Sequence, residues 1–339
     1  MIVLVTGASG FLGRAVAAQL VAARHEVRTM QRRPSGVSGA TDVLGSITAP
    51  ADIERAVEGA QAVVHLAAKV SLAGSWEEFR DVNVEGTRSL LDAAEAAGVS
   101  RFVQVSSPSV AHAGSALAGV GTDPADPRRA RGRYACTKAE GELIALSRDS
   151  PSFRVLAVRP HLVWGPGDTQ LVARIVERAR RRRLPLLNGG TALIDSTYID
   201  NAASGIAAAL ERADDAHGRA FVLTNGEPRP VGELLAGIAL AAGAPPPRWS
   251  IPAWLGRAAG SAIEQIWSIV PAGDEPPMTR FLAEQLSTAH WFDQRETRAA
   301  LAWSPTVSID EGLRRLASSY GEPMKPDHVG SHDSCQIAN

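Results

Sequence analysis

The chain has 339 residues, 45% of them hydrophobic and 21% charged, ordinary globular usage that excludes disorder over most of its length. At about 150 residues per domain, this is roughly two units or one large α/β unit with an elaborated cap. Thirty-five basic residues against 36 acidic ones leave a net charge of −1, so no bulk field draws in nucleic acid or an anionic membrane.

The chain opens on a strand: Met1-Ile-Val-Leu-Val-Thr6 lacks the basic region and small-residue cleavage site of a signal peptide. Thr6-Gly-Ala-Ser-Gly-Phe-Leu-Gly13 follows, and a helix begins inside it, with Leu12, Val16 and Leu20 recurring four apart on one buried face. Further strands are predicted at Val27–Met30, Ala62–Ala67, Arg101–Ser106 and Val155–Arg159. Alanine-rich helices separate them, one near Glu85–Ala97 closed by Gly98 as a left-handed cap. This alternation predicts an α/β fold on a parallel, doubly wound sheet.

After Pro160 the pattern loosens. A helix near Leu171–Arg183, a Gly189-Gly190 turn, a helix after Asp200-Asn201 and a late sheet strand at Phe221–Thr224 precede a break at Pro245-Pro246-Pro247. The expected division is a nucleotide-binding domain over 1–165 with segments returning at about 190–226, a smaller, mostly helical substrate cap over 166–189 and 227–320, and a mobile polar tail over 321–339. Ile251–Val270 is apolar but carries Arg257 and Glu264, so no membrane span is expected. Two cysteines, Cys136 and Cys335, cannot build a disulfide framework, and reduced thiols in the cytoplasm are expected.

The three glycines suit a phosphate loop. Gly7 permits a tight turn, Gly10 a backbone approach to pyrophosphate, and Gly13 close packing of helix on strand. The helix N-terminus, at Phe11 and Leu12, offers free N–H groups and a positive dipole end. An NAD-preferring site places Asp or Glu after the second strand; here stand Gln31-Arg32-Arg33. Arg32 and Arg33 suit a 2′-phosphate, so NADP(H) is expected over NAD(H).

Tyr134-Ala-Cys-Thr-Lys138 falls on a predicted helix, and residues four apart share a face. An ammonium beside the phenol favours its ionised form and is expected to bring Tyr134 within reach of acid–base work near neutrality. Ser107, at the end of the strand carrying Val105, can hydrogen-bond a substrate oxygen from the other side.

Together these pieces resemble an extended short-chain dehydrogenase/reductase, which has a Rossmann fold. The resembling segments are Thr6–Gly13, His65-Leu-Ala-Ala68, Asn83 in Asn-Val-Glu-Gly-Thr, Ser106-Ser107, Tyr134–Lys138, Arg159-Pro-His-Leu-Val-Trp-Gly-Pro166 and Tyr198-Ile-Asp-Asn201. Pro277-Met-Thr-Arg-Phe281, His290-Trp-Phe-Asp293 and Trp303-Ser-Pro305 are similar to the 3β-hydroxysteroid dehydrogenase-like branch, which includes sterol dehydrogenases and reductases of 2-alkyl-3-oxoalkanoates.

The resemblance implies Tyr134 as general acid/base, Lys138 on the nicotinamide ribose, Ser107 on the carbonyl and Asn83 in support. It implies that Leu66, Ala67, Ala68 and Val105 line the cofactor and that Pro160 and Val163 flank the nicotinamide. Where family members often carry an acidic residue for the adenine, this chain has Ser46 and then Ile47. The reaction implied is NADPH-dependent reduction of a carbonyl. Alternatives are a sugar-nucleotide epimerase, disfavoured by Arg32 and Arg33, and a non-catalytic redox sensor, which can dispense with the Tyr134–Lys138 pair kept here.

Substrate clues are softer. His161 and Trp164 differ from the commoner residues beside the nicotinamide, and Ser109 follows Ser107 closely. Five of seven tryptophans lie in the last third, of which Trp254 and Trp267 are candidates for an apolar pocket, although a small cap also needs large side chains in its own core. Arg131, in the arginine run before Tyr134, is a candidate for a substrate anion, although such runs are usually solvated. His65, His161 and His290 show no metal spacing. The helices near Thr87–Ala97 and Ala135–Ser147 are those through which related enzymes often dimerise, and a homodimer stays open.

Overall fold

The computed structural model describes residues 1–70, 74–112, 114–269 and 280–321, without the side chains of 262, 264–269 and 280–282. The expected tail lies almost wholly outside these residues, as does most of Pro277–Phe281. At the centre is a sheet of seven strands: β1 (Ile2–Thr6), β2 (Glu26–Gln31), β3 (Ala40–Leu44), β4 (Ala62–His65), β5 (Arg101–Val105), β6 (Arg154–Pro160) and β7 (Ala220–Leu223). Their spatial order is β7-β6-β5-β4-β1-β2-β3, with every neighbouring pair parallel. The chain leaves β1 through β2 and β3, then returns to β4 and builds the other half. β1 and β4 therefore flank a switch point, whose crevice lies at the carboxyl ends of the strands.

A sheet covered on both faces needs strands that are apolar throughout, and Val3, Leu4, Val5, Val63, Val64, Phe102 and Val103 are fully buried. Four helices position the site: α1 (Phe11–Ala22), α2 (Gly86–Ala96), α3 (Gly132–Leu146) and α4 (Ile199–Glu211). On one face Val16 and Leu20 of α1 and Ile206 and Leu210 of α4 pack with Val3, Val5 and Val103. On the other, Leu90, Leu91 and Ala94 of α2 and Ala145 of α3 pack with Leu4, Phe102 and Val155. β3 was not expected, because Ala-Thr-Asp-Val-Leu carries no apolar run and its Leu44 remains 51% exposed at the sheet edge.

A second core is built from Trp164, Val172, Ile175, Tyr198, Leu234, Ile238, Leu313 and Leu316, so the expected cap segments share their core with Trp164 and Tyr198, from segments expected in the nucleotide-binding domain. Asn201 ties it to α4, its amide donating to Asn225 Oδ1 (2.9 Å) and the Val307 carbonyl (2.7 Å) and accepting from Val307 N (3.1 Å). No helix among the described residues is long and apolar enough to cross a membrane.

Among the described residues, one ion pair is wholly internal. Arg159, at the end of β6, donates through Nε (2.9 Å) and Nη2 (2.5 Å) to the two carboxylate oxygens of Glu142 on α3, and through Nη1 to the Asp123 carbonyl (2.7 Å). Neither side chain exceeds 2% exposure. Removing one partner of such a pair strands the other without a counter-charge, which costs about 3–5 kcal/mol. Glu142→Gln is therefore expected to lower the calorimetric unfolding midpoint by several degrees at neutral pH. An unchanged midpoint would show that this pair adds nothing to stability.

Candidate active site

The glycine loop is dictated by lack of room. Gly7 has φ 76°, and a Cβ there would stand 2.9 Å from the Ala67 nitrogen, while one on Gly13 would stand 2.3 Å from the Gly7 carbonyl oxygen. The turn after β1 thus crosses the chain leaving β4 at a separation only glycine permits. Gly10 caps α1 without any side-chain acceptor, and no acidic residue occupies the first turn. The leading N–H groups of α1 are therefore available to an anion. Opposite them, Leu66 N and Ala67 N donate to Thr6 Oγ1 (3.2 and 3.1 Å), fixing the facing wall. This cradle fits a pyrophosphate.

At the far end of β2, Arg32 and Arg33 are exposed and Gln31 is buried. The sequence suggested that no carboxylate stands there, yet Asp42 brings one from β3. It accepts from Thr29 Oγ1 (2.5 Å), Gln31 Nε2 (3.0 Å) and Ser35 N (3.1 Å). Burial raises its pKa, but those three residues together hold it below the usual carboxylate value. Asp42 is thereby committed to shaping the 29–35 loop. After β3, at the turn expected to face an adenine, Ser46 N donates to Asp52 Oδ2 (2.9 Å), so a carboxylate arrives there from six residues further on. Ile47 is nearly buried, its carbonyl facing Gly86.

Tyr134 and Lys138 lie one turn apart at the start of α3. Lys138 Nζ donates to the Val105 carbonyl (2.6 Å) and is 3% exposed. Burial pulls its pKa down to about 8, with Glu142 acting in the opposite sense. The Tyr134 phenol hydrogen-bonds Ser107. Ser109 donates to Ser107 Oγ from both its backbone N (3.3 Å) and its hydroxyl (3.0 Å), which leaves the Ser107 proton free to be donated. The expectation that the ammonium brings the phenol towards neutrality is corrected here. Burial dominates and pushes Tyr134 up to about 12, with Ser107 acting the other way. The phenol is protonated at pH 7.

Asn83 sits in a π-helical turn, Asp81–Glu85, that leads into α2; such turns recur at functional sites. Its Oδ1 accepts from Lys69 N (2.8 Å), and its Nδ2 donates to the Lys69 carbonyl (3.2 Å) and to Thr137 Oγ1 (3.1 Å). After the buried Pro160, Leu162 adopts φ 43°, a strained left-handed conformation for a branched residue. Thr197 holds it, donating from N to the Leu162 carbonyl (3.2 Å) and from Oγ1 to the His161 carbonyl (2.7 Å).

The substrate candidates scatter. Trp164 is fully buried, its ring 5.5 Å from Tyr198 and its Nε1 donating to Ser196 Oγ (2.9 Å), so it is core and does not line a pocket. Arg131 is engaged by Glu284, whose two carboxylate oxygens both accept from Nη1 at 2.9 Å. Trp254 is 66% exposed on the outside of the cap, and the Trp267 side chain falls outside the described residues.

A cluster that sequence reasoning missed surrounds His161: its ring centroid is 6.0 Å from that of His290, which is 4.8 Å from that of His112. Only spacing could have pointed to it, and His290 lies 178 positions after His112. His161 Nδ1 faces the Asp195 carbonyl at 2.6 Å and so carries the proton. Both nitrogens of His112 and Nδ1 of His290 have no partner among the described residues. Burial pulls all three down, His161 to about 4 and His290 to about 3, with Glu284 opposing this at His112. No group of three metal ligands occurs among the described residues.

These imidazoles fold neutral but titrate near 6.5 when unfolded. Stability is complete above pH 6.5 and is lost as pH falls below it, because unfolding then takes up protons; by pH 5 the loss is on the order of 1–2 kcal/mol per imidazole. The unfolding midpoint is expected to fall between pH 7 and 5, and to fall less in His290→Phe; parallel curves for the two proteins would remove the cluster as the cause.

Comparison with known proteins follows the same lines. The profile of the NAD dependent epimerase/dehydratase family matches residues 3–224. A 2-alkyl-3-oxoalkanoate reductase of Stenotrophomonas maltophilia is 39% identical over 94% of this chain and 99% of its own length. A 3-beta-hydroxysteroid dehydrogenase of Mycolicibacterium neoaurum is 30% identical over 94% of this chain and 91% of its own. A short-chain dehydrogenase/reductase superfamily protein of Agrobacterium tumefaciens, solved with bound NAD, superposes with a TM-score of 0.73 at 26% identity, covering 94% of this chain and 97% of that one.

Proposed function

This chain belongs to the NAD dependent epimerase/dehydratase family, as an extended short-chain dehydrogenase/reductase, and from that membership we propose that it reduces a ketone to a secondary alcohol using NADPH, with Tyr134 as the proton donor. The observation that carries this reading is the Ser107 hydroxyl acting on the Tyr134 phenol, with Lys138, one helical turn along α3, held by its Nζ at the Val105 carbonyl at the end of β5. A carbonyl oxygen placed against Ser107 and Tyr134 meets two donors aimed at the charge it develops. The nicotinamide, when bound, supplies the hydride.

Tyr134 holds its proton at neutral pH and gives it up to an alkoxide, which is a stronger base than any phenolate. Ser107, which acts to lower the Tyr134 pKa, favours the phenolate left behind. Arg32 and Arg33 support NADPH over NADH, as guanidinium groups exposed where a ribose 2′-phosphate would lie. The substrate class we infer is an apolar ketone or 3-oxo acid. Relatives named for 2-alkyl-3-oxoalkanoates, for a farnesyl-dihydroquinoline oxide and for 3β-hydroxysteroids share a carbonyl, or the secondary alcohol that corresponds to it, on a bulky apolar frame.

The deciding experiment screens ketones, 3-oxo acids and sterols by NADPH consumption, with Tyr134→Phe alongside. Turnover is expected with at least one apolar ketone, and the variant is expected to lose about 10³-fold in kcat, the scale of general acid catalysis, while its NADPH Kd stays unchanged. A variant that retains turnover removes Tyr134 from the chemistry. Replacing Arg32 and Arg33 together by alanine is expected to weaken NADPH binding by about tenfold or more, the scale of a lost charge-assisted hydrogen bond, and to leave NADH binding alone. Equal loss for both nucleotides would end the NADPH assignment.

A further inference from the structure

A buried chain of hydrogen bonds joins the cofactor loop to the catalytic helix. Its members, Thr6, His65, Thr87, Asn83 and Thr137, are all 2% exposed or less. Their directions can be deduced. Thr87 Oγ1 donates to the Asn83 carbonyl (2.9 Å), so towards His65 Nε2 (3.1 Å) it can only accept, and Nε2 carries the imidazole proton. Nδ1 is then a bare acceptor, and Thr6 Oγ1 donates to it (2.7 Å) while accepting from Leu66 N and Ala67 N. At the other end, Asn83 Nδ2 donates to Thr137 Oγ1, which passes its own proton to the Arg133 carbonyl (2.7 Å). Asn83 cannot be flipped, because its remaining partners are the N–H and the carbonyl of Lys69. Every donor meets an acceptor, and a fully satisfied buried network is rigid.

We propose that His65 is a positioning residue: a two-ended spacer that fixes the 66–67 turn against the π turn at Asn83 and, through Thr137, sets the turn of α3 bearing Tyr134 and Lys138. This rests on the reading of Tyr134 as the proton donor. The reversed tautomer would set the Nε2 lone pair against the Thr87 oxygen, and either mismatch leaves a buried group without a partner. Burial holds the imidazole neutral, its pKa down at about 3 with Lys138 adding to the effect, so the spacer keeps one form across the working pH range.

The two ends can be cut separately. Asn places its amide at the Nδ1 end of the ring, and Gln places its amide at the Nε2 end. His65→Asn keeps an acceptor for Thr6 and loses the link to Thr87. His65→Gln keeps a donor for Thr87 and strands Thr6. NADPH Kd by fluorescence titration and the ¹³Cζ resonance of Tyr134 report the two ends without needing a ketone. That resonance is one of only three from tyrosine, and Tyr134→Phe assigns it. His65→Gln is expected to weaken NADPH binding by about tenfold, the scale of a stranded buried hydroxyl, with the Tyr134 resonance in place. His65→Asn is expected to shift that resonance with Kd close to wild type. Thr87→Val should reproduce the His65→Asn behaviour and Thr87→Ser should restore wild type, which keeps the test open if the His65 variants do not fold. Equal effects of both His65 variants on both readouts, no effect of either, or a Thr87→Val protein like wild type would overturn the proposal. Because neither readout uses a substrate, failure to find a ketone would count against the proposed reaction alone.

Discussion

A buried ammonium is among the most costly groups a protein interior can hold, and the arrangement around Lys138 answers that cost. Its Nζ donates to the Val105 carbonyl at the end of β5. One turn further along α3, Glu142 supplies the opposite charge, and Arg159 holds Glu142 from β6. α3 therefore turns a polar stripe inward, with Thr137, Lys138 and Glu142 all buried. Small residues let it lie close: a Cβ on Gly141 would stand only 2.5 Å from the Asn83 carbonyl oxygen. The closeness that Gly141 permits is what brings Asn83 within reach of Thr137, so the electrostatics of Lys138 and the packing of α3 are one requirement.

Formally, Lys138, Glu142 and Arg159 leave one positive charge inside the fold. The nearby imidazoles add none, since burial holds His65, His161 and His290 neutral. Asp195 and Glu284 are buried as well, so this positive charge is local to the Lys138–Glu142–Arg159 group and is not a net charge of the interior. The same burial that pushes the phenol up to about 12 keeps the proton in place until a stronger base appears.

What the sequence made legible was local. The glycine loop lies within eight consecutive residues, and Tyr134 and Lys138 are one helical turn apart, so helix period and strand–turn–helix context suffice to place them. β3 escaped because three of its five residues are exposed, and with it escaped Asp42, the carboxylate beside Gln31. Arg131 looked available for an anion because its partner, Glu284, lies 153 residues away. Trp164 looked like a pocket residue beside the nicotinamide-flanking segment, but parallel pairing of Val163–Trp164 with Thr197–Tyr198 turns its ring into the cap core. The Tyr134 shift was misjudged because spacing reveals the neighbouring charge and says nothing of desolvation, the larger effect here. Long-range partners and burial were the information missing each time.

The contacts around the site fall into two groups with different owners. The cofactor loop is held from within the sheet domain: Thr6, Leu66, Ala67 and His65 bond to one another and to α2. The substrate-side segments are held by the cap. The segment after Ser107 ends at His112, which packs on His290; the segment after Pro160 carries His161 against the same ring; and the start of α3 is clasped through Arg131 by Glu284. The glycine loop is thus tied to α2, whereas the segments after Ser107 and Pro160 and the start of α3 are tied to His290 and Glu284. α3 joins the two sets, through Thr137 on one side and through Arg131, its N-cap residue, on the other, so the two kinds of order meet over its first two turns.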